Sequence, residues 1–353
     1  MNANAHDRVA PCTAGSRLFS PIRWRRAFRG GHAAARVRFA CALTLAAATG
    51  GCATPGGSAL GSPPGAPMSS QMQPVALPAA AADADFLLLG ELHDNVTQHR
   101  LRLQWLEALA DRHPFALALE QFDADRQDAL DRARAEDTRE AANRTGAPDL
   151  AVRARRIAQA AGFDFHGWDW DLYRPAIELA LRRGLPLVAA NLSPADTTQV
   201  ARGSVPPAPP PPGWGTEQTE AMRASIRQGH CDLLPERAVD AMALAQRTRD
   251  ARIARALVDA RERTGLPVVL LAGNGHLRRD IGVPLHLAAL RPQARIVSIA
   301  MLERNARGEE GRGVAPDQES FDLIVRTAAQ PREDPCVALR ERMQRRSSSA
   351  DSR

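Results

Sequence analysis

Phe86-Leu87-Leu88-Leu89-Gly90-Glu91-Leu92-His93 and Val268-Val269-Leu270-Leu271-Ala272-Gly273-Asn274-Gly275-His276 share one plan: an unbroken apolar run, a glycine, and a histidine three residues after it. A short apolar run without alternation, closed by glycine, reads as a strand buried on both faces, the kind that parallel sheets contain. Similar runs lie at Phe115 to Leu119, Phe163 to His166, Leu185 to Ala189, Ile296 to Ala300 and Phe321 to Val325. Between them run helical patterns such as Gln98 to Ala110, where Leu101, Trp105, Leu106 and Leu109 recur on one face and Arg and Glu take the rest. The alternation predicts an α/β fold, a mostly parallel β-sheet flanked by helices.

One interval breaks the rhythm. Val205 to Gly213 is Pro-rich, and Gly215 to Thr264 reads as two helices with no strand between them. Residues 205–264 are therefore expected to form a Pro-rich spacer and a smaller inserted all-helical subdomain, dividing the α/β domain into 85–204 and 265–335. The Arg- and Ser-rich residues 336–353 are expected to be a disordered tail.

The 353 residues are 44% hydrophobic and 24% charged, which suits a globular protein with some unstructured sequence. The net charge of +6 and pI near 9.8 point at first to nucleic acid or an anionic surface. Residues 1–51, however, carry eight Arg against the single acid Asp7, a net +7, so the rest of the chain stands at −1. A nucleic-acid role for the folded part is thereby set aside. Arg36 and Arg38 precede the apolar run Phe39 to Ala48 and then Thr49-Gly50-Gly51-Cys52, the order of a secretory signal, and the run is too short to span a bilayer. A Cys after small residues resembles the lipobox of bacterial lipoproteins, with Thr49 where that pattern prefers an aliphatic residue. Lipidation at Cys52 follows, with 52–84 as a flexible Ala/Gly/Pro/Ser linker. The expected address is the bacterial envelope, lipid-anchored, at the outer membrane facing the periplasm. Cys12 and Cys41 leave with the leader. Cys231 and Cys336 remain, as a disulfide or as two buried thiols.

Ligands in open α/β sheets bind beyond the carboxyl ends of the strands, so His93 and His276 are expected to face one crevice if their strands are neighbours. Each alternatively caps a helix or satisfies buried backbone. Glu91, two residues before His93, can orient its imidazole, and Glu120 follows another strand. Asp94 and Asn95 read as helix caps. Phe163 to Tyr173 holds the only Tyr and two of the five Trp. This cluster could line a flat ligand, with the Tyr173 phenolate as an iron ligand, or could simply be core. There is no H-E-x-x-H, C-x-x-C, Walker A or G-x-S-x-G sequence, and Gly273-Asn274-Gly275 lacks the third glycine of a dinucleotide fingerprint.

With the lipobox-like Cys52, Gly90 to Asn95, Gly273 to His276 and the Gly229-His230-Cys231 to Pro235 stretch, the chain resembles the ChaN-like haem-binding lipoproteins, grouped with Tiki-type proteases and erythromycin-esterase-like proteins. The resemblance covers roughly Asp85 to Thr327. It implies haem or iron handling at the envelope, with His93, Tyr173 and His276 as cofactor-binding candidates. The chain has no Lys, so haem propionates would be met by Arg278, or by Arg279 or Arg174. The alternative is a metal-dependent hydrolase, peptidase or esterase, in which His93 and His276 hold a divalent ion and Glu91 or Glu120 acts as general base. Expected partners are haem or a similar flat ligand and a membrane reached through the lipid. A second copy of the chain is left open.

Overall fold

The computed structural model describes residues 76–143, 149–304 and 318–350. The expected leader, Cys52 and the linker up to residue 75 lie outside these residues, as do 351–353 of the expected tail. Six strands form one sheet among the described residues: β1 (Phe86–Leu89), β2 (Ala116–Asp123), β3 (Leu187–Asn191), β4 (Val268–Leu271), β5 (Ile296–Arg304) and β6 (Leu323–Ala328). Their order is β3-β2-β4-β1-β5-β6 and every neighbouring pair is parallel. The two glycine-histidine segments thus end adjacent strands, with Leu89 opposite Leu271.

The absence of alternation in the strands follows from two buried faces. Leu87, Leu89, Leu117, Leu119, Val269 and Leu271 enter a core shared with α2 (Val96–Arg112), α4 (Leu150–Ala160) and α5 (Trp170–Arg183). Phe86, Leu88, Ala116, Ala118, Val268 and Leu270 enter a second core beneath α8 (Glu236–Thr264) and α9 (Val283–Leu290). Each fully buried Leu contributes roughly 1.5–3 kcal/mol over exposure. A strand apolar on both faces does not resist a one-residue slip through burial alone. Polar clamps hold the register at the two ends. Asp85 accepts from Arg261 at 2.7 Å and from the Arg295 backbone N–H at 3.0 Å. At the far end the Asn274 amide accepts from Met301 N at 3.0 Å and donates to Met301 O at 2.7 Å.

The remaining helices are α1 (Ala79–Ala82), α3 (Gln127–Asn143), α6 (Pro194–Ala201), α7 (Thr216–Gly229) and α10 (Pro335–Ala350). Several sequence expectations change here. Phe163 to His166 is not a strand. Gly162, at φ +82°, closes α4, the Asp164 carboxylate accepts from His166 N at 2.9 Å, and the Asp164 carbonyl accepts from Gly167 and Trp168 N. The aromatic content that resembles a strand instead builds a ring cluster of Phe163, Phe165, Trp170 and Tyr173. Ala81, Ala82 and Ala84 are packed in the core, so the compact part starts before residue 85. Alanine loses little entropy in a helix, and the Ala-rich end of the linker forms α1.

The two helices read between 215 and 264 are α7 and α8. They are not set apart from the sheet, because the second half of α8 buries Ile253, Ala254, Leu257 and Val258 against it. Most of the expected disordered tail is α10. Asp334 accepts from Cys336 N at 2.8 Å, and Pro335 opens the helix where an N–H would lack a partner anyway. Cys231 and Cys336 form a disulfide, with Cα atoms 5.7 Å apart, that ties α10 to the turn after α7.

Candidate functional site

Beyond the carboxyl ends of β2, β4 and β1 lies a cleft of about 360 Å3. Glu91, His93, Glu120, Gly273 and His276 line its floor, with Arg278 among its other walls. Met222, Ile226, Leu302 and Phe321 supply apolar surface. The chain exits β1 at Gly90, whose amide donates to Ile299 O at 2.8 Å, and the Glu91 carbonyl accepts from Asn274 N at 3.1 Å. These bonds fix both histidine-bearing loops to the sheet.

Glu91 is 1% exposed and is the hub of the first loop. Its Oε1 accepts from the Tyr173 hydroxyl at 2.6 Å and from His93 Nδ1 at 2.7 Å. Its Oε2 faces the Arg102 guanidinium and lies 3.4 Å from His99 Nε2. Arg102 can only donate, so its 2.9 Å bond makes His99 Nδ1 the acceptor, leaving Nε2–H to donate to the His93 carbonyl at 3.0 Å. Burial holds the His99 pKa down at about 4 and brings even Arg102 to about 10. His93 therefore presents Nδ1–H to a carboxylate and leaves Nε2 as a lone pair toward the cleft. Its side chain is 45% exposed. Desolvation lowers its pKa against the pull of Glu120 and keeps the ring neutral near pH 7. Trp168 meets the ring edge-on, centroids 4.8 Å apart. A Cβ on Gly273 would sit 2.8 Å from His93 Nε2, so only glycine leaves this edge open.

The second loop is the electrostatic opposite. His276 is 4% exposed and both its nitrogens are occupied: Nδ1 by Asp250 of α8, Nε2 by Glu120 Oε1 at 3.2 Å. Burial alone would lower its pKa, but Glu120 and Asp250 together raise it to about 9, so the ring is an imidazolium. Burial opposes ionisation of Glu120 too, yet His276, His93 and Arg249 hold its pKa well below the usual range. Glu120 Oε1 also accepts from Arg249 at 2.9 Å, and Oε2 from Gly273 N at 2.8 Å. Burial raises the pKa of Asp250 against the pull of its His276 partner. Carboxylates on both sides leave His276 no free lone pair.

The structure thus brings Glu91, His93, Glu120 and His276 together, with different tasks from those expected. His276 has a carboxylate on each nitrogen and, so held, presents no donor toward the cleft. The pairing of His93 and His276 on one divalent ion loses its second donor. Among the described residues no group of three or more His, Cys, Asp or Glu is arranged to hold a metal ion. Tyr173 is 1% exposed, donates to Glu91 and does not line the cleft, and burial pushes its pKa far above the phenol range. It is a support for Glu91 instead of an iron-facing phenolate. Arg278 does line the cleft, paired with Asp280 at 3.0 and 2.5 Å. Arg279 pairs with Asp322, and Arg174 with Glu178. Asn95 caps α2 by accepting from Gln98 N at 3.0 Å, while Asp94 pairs with Arg332.

Sequence reasoning missed His99, Arg102, Arg249 and Asp250. A signal existed for two of them. Asp250 stands three, four and seven residues before the buried Ile253, Ala254 and Leu257, and Arg102 has the same spacing to Trp105, Leu106 and Leu109. A charge on an apolar helical stripe needs a buried partner.

The sequence pattern of the family described as haem-binding uptake, Tiki superfamily, ChaN matches residues 77–287. Among solved structures, the chain is similar to ChaN of Campylobacter jejuni, described for cofacial haem binding. Identity is 24%, the TM-score 0.56, and the match covers 69% of this chain and 87% of that one. Looser likenesses, each with a TM-score of 0.39, are to the type III effector HopBA1 (13% identity, 71% of this chain, 90% of that one) and to an erythromycin esterase in its open conformation (15% identity, 64% and 72%). No curated protein matches.

Proposed function

The chain belongs to the ChaN family of haem-binding uptake proteins in the Tiki superfamily, and on that premise we propose that it binds haem in the strand-end cleft, with His93 Nε2 facing the iron. The observation that carries this reading is the state of His93: neutral, oriented through Nδ1 by the buried Glu91, and open at Nε2. A carboxylate behind a ligating imidazole fixes its tautomer and raises its basicity. The residues around it fit a porphyrin. Leu92, Met222, Ile226, Leu302 and Phe321 offer apolar contact, and the volume lies in the range of small-molecule sites. Arg278 can meet a propionate by exchanging its Asp280 partner for it. When bound, the iron supplies a coordination position for the imidazole lone pair. Glu91 keeps the proton on Nδ1, Tyr173 and Arg102 keep Glu91 in place, and the His276 imidazolium with Glu120 fixes the Gly273 loop.

Titration of the purified protein with haemin tests the assignment. A saturable Soret shift is expected, requiring roughly 100-fold more haemin in His93→Ala and retained in Tyr173→Phe. An unchanged shift in His93→Ala would overturn the role of His93. The Campylobacter relative is described for cofacial haem binding, so the stoichiometry of that titration, and sedimentation with and without haemin, decide whether two haems and a second copy of the chain take part.

The place of action in this reading is the envelope, through lipid at Cys52, supported by the basic leader, the short apolar run and the small residues before that Cys. Cys52→Ser should shift the protein from the membrane to the soluble fraction. Equal membrane association in both would remove the anchor.

A further inference from the structure

One wall of the strand-end cleft comes from a helix. α7 lines it with Met222, Ser225, Ile226 and Gly229, at three- and four-residue spacing, and His230 follows at the C-terminal cap. His230 is half-buried, and its Nδ1 lies 2.8 Å from the Ile226 carbonyl. A carbonyl only accepts, so Nδ1 carries a proton and the neutral ring keeps its lone pair on Nε2. Capping the helix uses Nδ1 alone. Nε2 has no hydrogen-bond partner among the described residues. The arrangement matches that of His93, with a backbone carbonyl behind the ring where His93 has Glu91.

The turn that carries His230 is strained. Asp232 N donates to Arg227 O at 2.9 Å and Cys231 N to Gln228 O at 3.1 Å, a helix ending whose left-handed residue is ordinarily glycine. Here Cys231 takes φ +60° and Asp232 φ +55°, and no other non-glycine residue among those described has a positive φ. Such backbone persists where its surroundings over-determine it. The rest of α7 is lightly held: Met222 is its one buried residue, and Arg223 and Arg227 pair with the exposed Glu236. The covalent constraint on the turn is the disulfide from Cys231 to Cys336 of α10. We infer that His230 is a second haem ligand, offering Nε2 to the iron from the α7 wall, and that the Cys231–Cys336 disulfide is the positioning element that holds it at the cleft. This rests on the haem reading above and adds a donor to it.

Haemin titration of the full-length protein, with electron paramagnetic resonance of the ferric complex, tests both parts. The wild type is expected to give the low-spin signal of an iron held by two imidazoles. His230→Ala should convert it to high spin and weaken haemin binding roughly tenfold, with the disulfide still formed by thiol count. His230→Gln serves the same purpose if the alanine variant does not fold. Cys231→Ser combined with Cys336→Ser should lose the low-spin signal as well. Cys231→Gly combined with Cys336→Ser should regain it, because glycine accepts the left-handed turn without a crosslink. A disulfide that only stabilised the fold would shift the melting temperature of these double variants and leave their spectra at the wild-type signal, which would overturn its positioning role. A high-spin wild-type complex, or wild-type signal and affinity in His230→Ala, would overturn His230 as a ligand while the loss of affinity in His93→Ala keeps the haem reading. A wild type that binds no haemin would overturn that reading and this inference together.

Discussion

The loop after β1 and the loop after β4 begin alike, with a glycine and a histidine three residues later, and end as opposites. His93 has one carboxylate on one nitrogen, stands 45% exposed, and is neutral. His276 has a carboxylate on each nitrogen, is 4% exposed, and is charged. The motif places a ring at a strand end. The number of acids that other elements bring to that ring decides whether it offers a lone pair or a positive charge.

If this difference is real, the two histidines should fail in different ways. His276→Ala leaves Glu120 and Asp250 buried with only Arg249 nearby, and removal of one partner from such a cluster costs about 3–5 kcal/mol. Thermal or urea unfolding should show that loss. His93→Ala should change stability little and weaken haemin binding roughly 100-fold, read from the Soret titration. Equal stability losses in the two variants would erase the distinction.

The pH dependence of unfolding sharpens it further. His276 is raised to about 9 in the folded protein, above its ordinary 6.5, so its contribution is complete below pH 6.5 and fades as pH rises through 9. Stability should fall over that window by on the order of 3 kcal/mol, and His276→Gln should flatten the slope. His99, depressed to about 4, acts with the opposite sign. Its contribution is present above pH 6.5 and is lost as pH falls toward 4.

Smaller changes probe the support of His93. Tyr173→Phe deletes a hydrogen bond to a buried carboxylate and should cost about 1.5–3 kcal/mol of stability while the Soret shift persists. Loss of the shift with stability unchanged would return Tyr173 to the iron. The mildest variant is Gly273→Ala. Its new methyl would press on Cε1 and Nε2 of a half-exposed ring that can turn away, so stability should hold and haemin affinity fall about tenfold, near 1.4 kcal/mol.

Much of the architecture was legible because a strand buried on both faces announces itself as an apolar run. Phe86 to Leu89 and Val268 to Leu271 are strands where expected. Phe163 to His166 misled for a physical reason: aromatic residues favour strands, but a Gly162 turn and the Asp164 side chain use the backbone locally. At the site, Glu91, His93, Glu120 and His276 could be named from their places after strands. Their charge states could not, because Asp250 and Arg249 reach them from α8 and Arg102 turns back onto Glu91 from α2, contacts that only the fold makes. Only the odd charge on an apolar stripe hinted at that.

The strand order has a consequence for the chain as it is made. β1 pairs only with β4 and β5, so Phe86 waits for Val268 and Ile296 before it has any neighbour in the sheet. A ribosome that has released β1, β2 and β3 can offer the β2–β3 pair and nothing for β1. The central slot stays vacant until nearly all of the described chain is available, and the carboxylate-held His276 arrives with the strand that closes it. Such a sheet is completed late and all at once, with its two histidine loops brought side by side in the closing step.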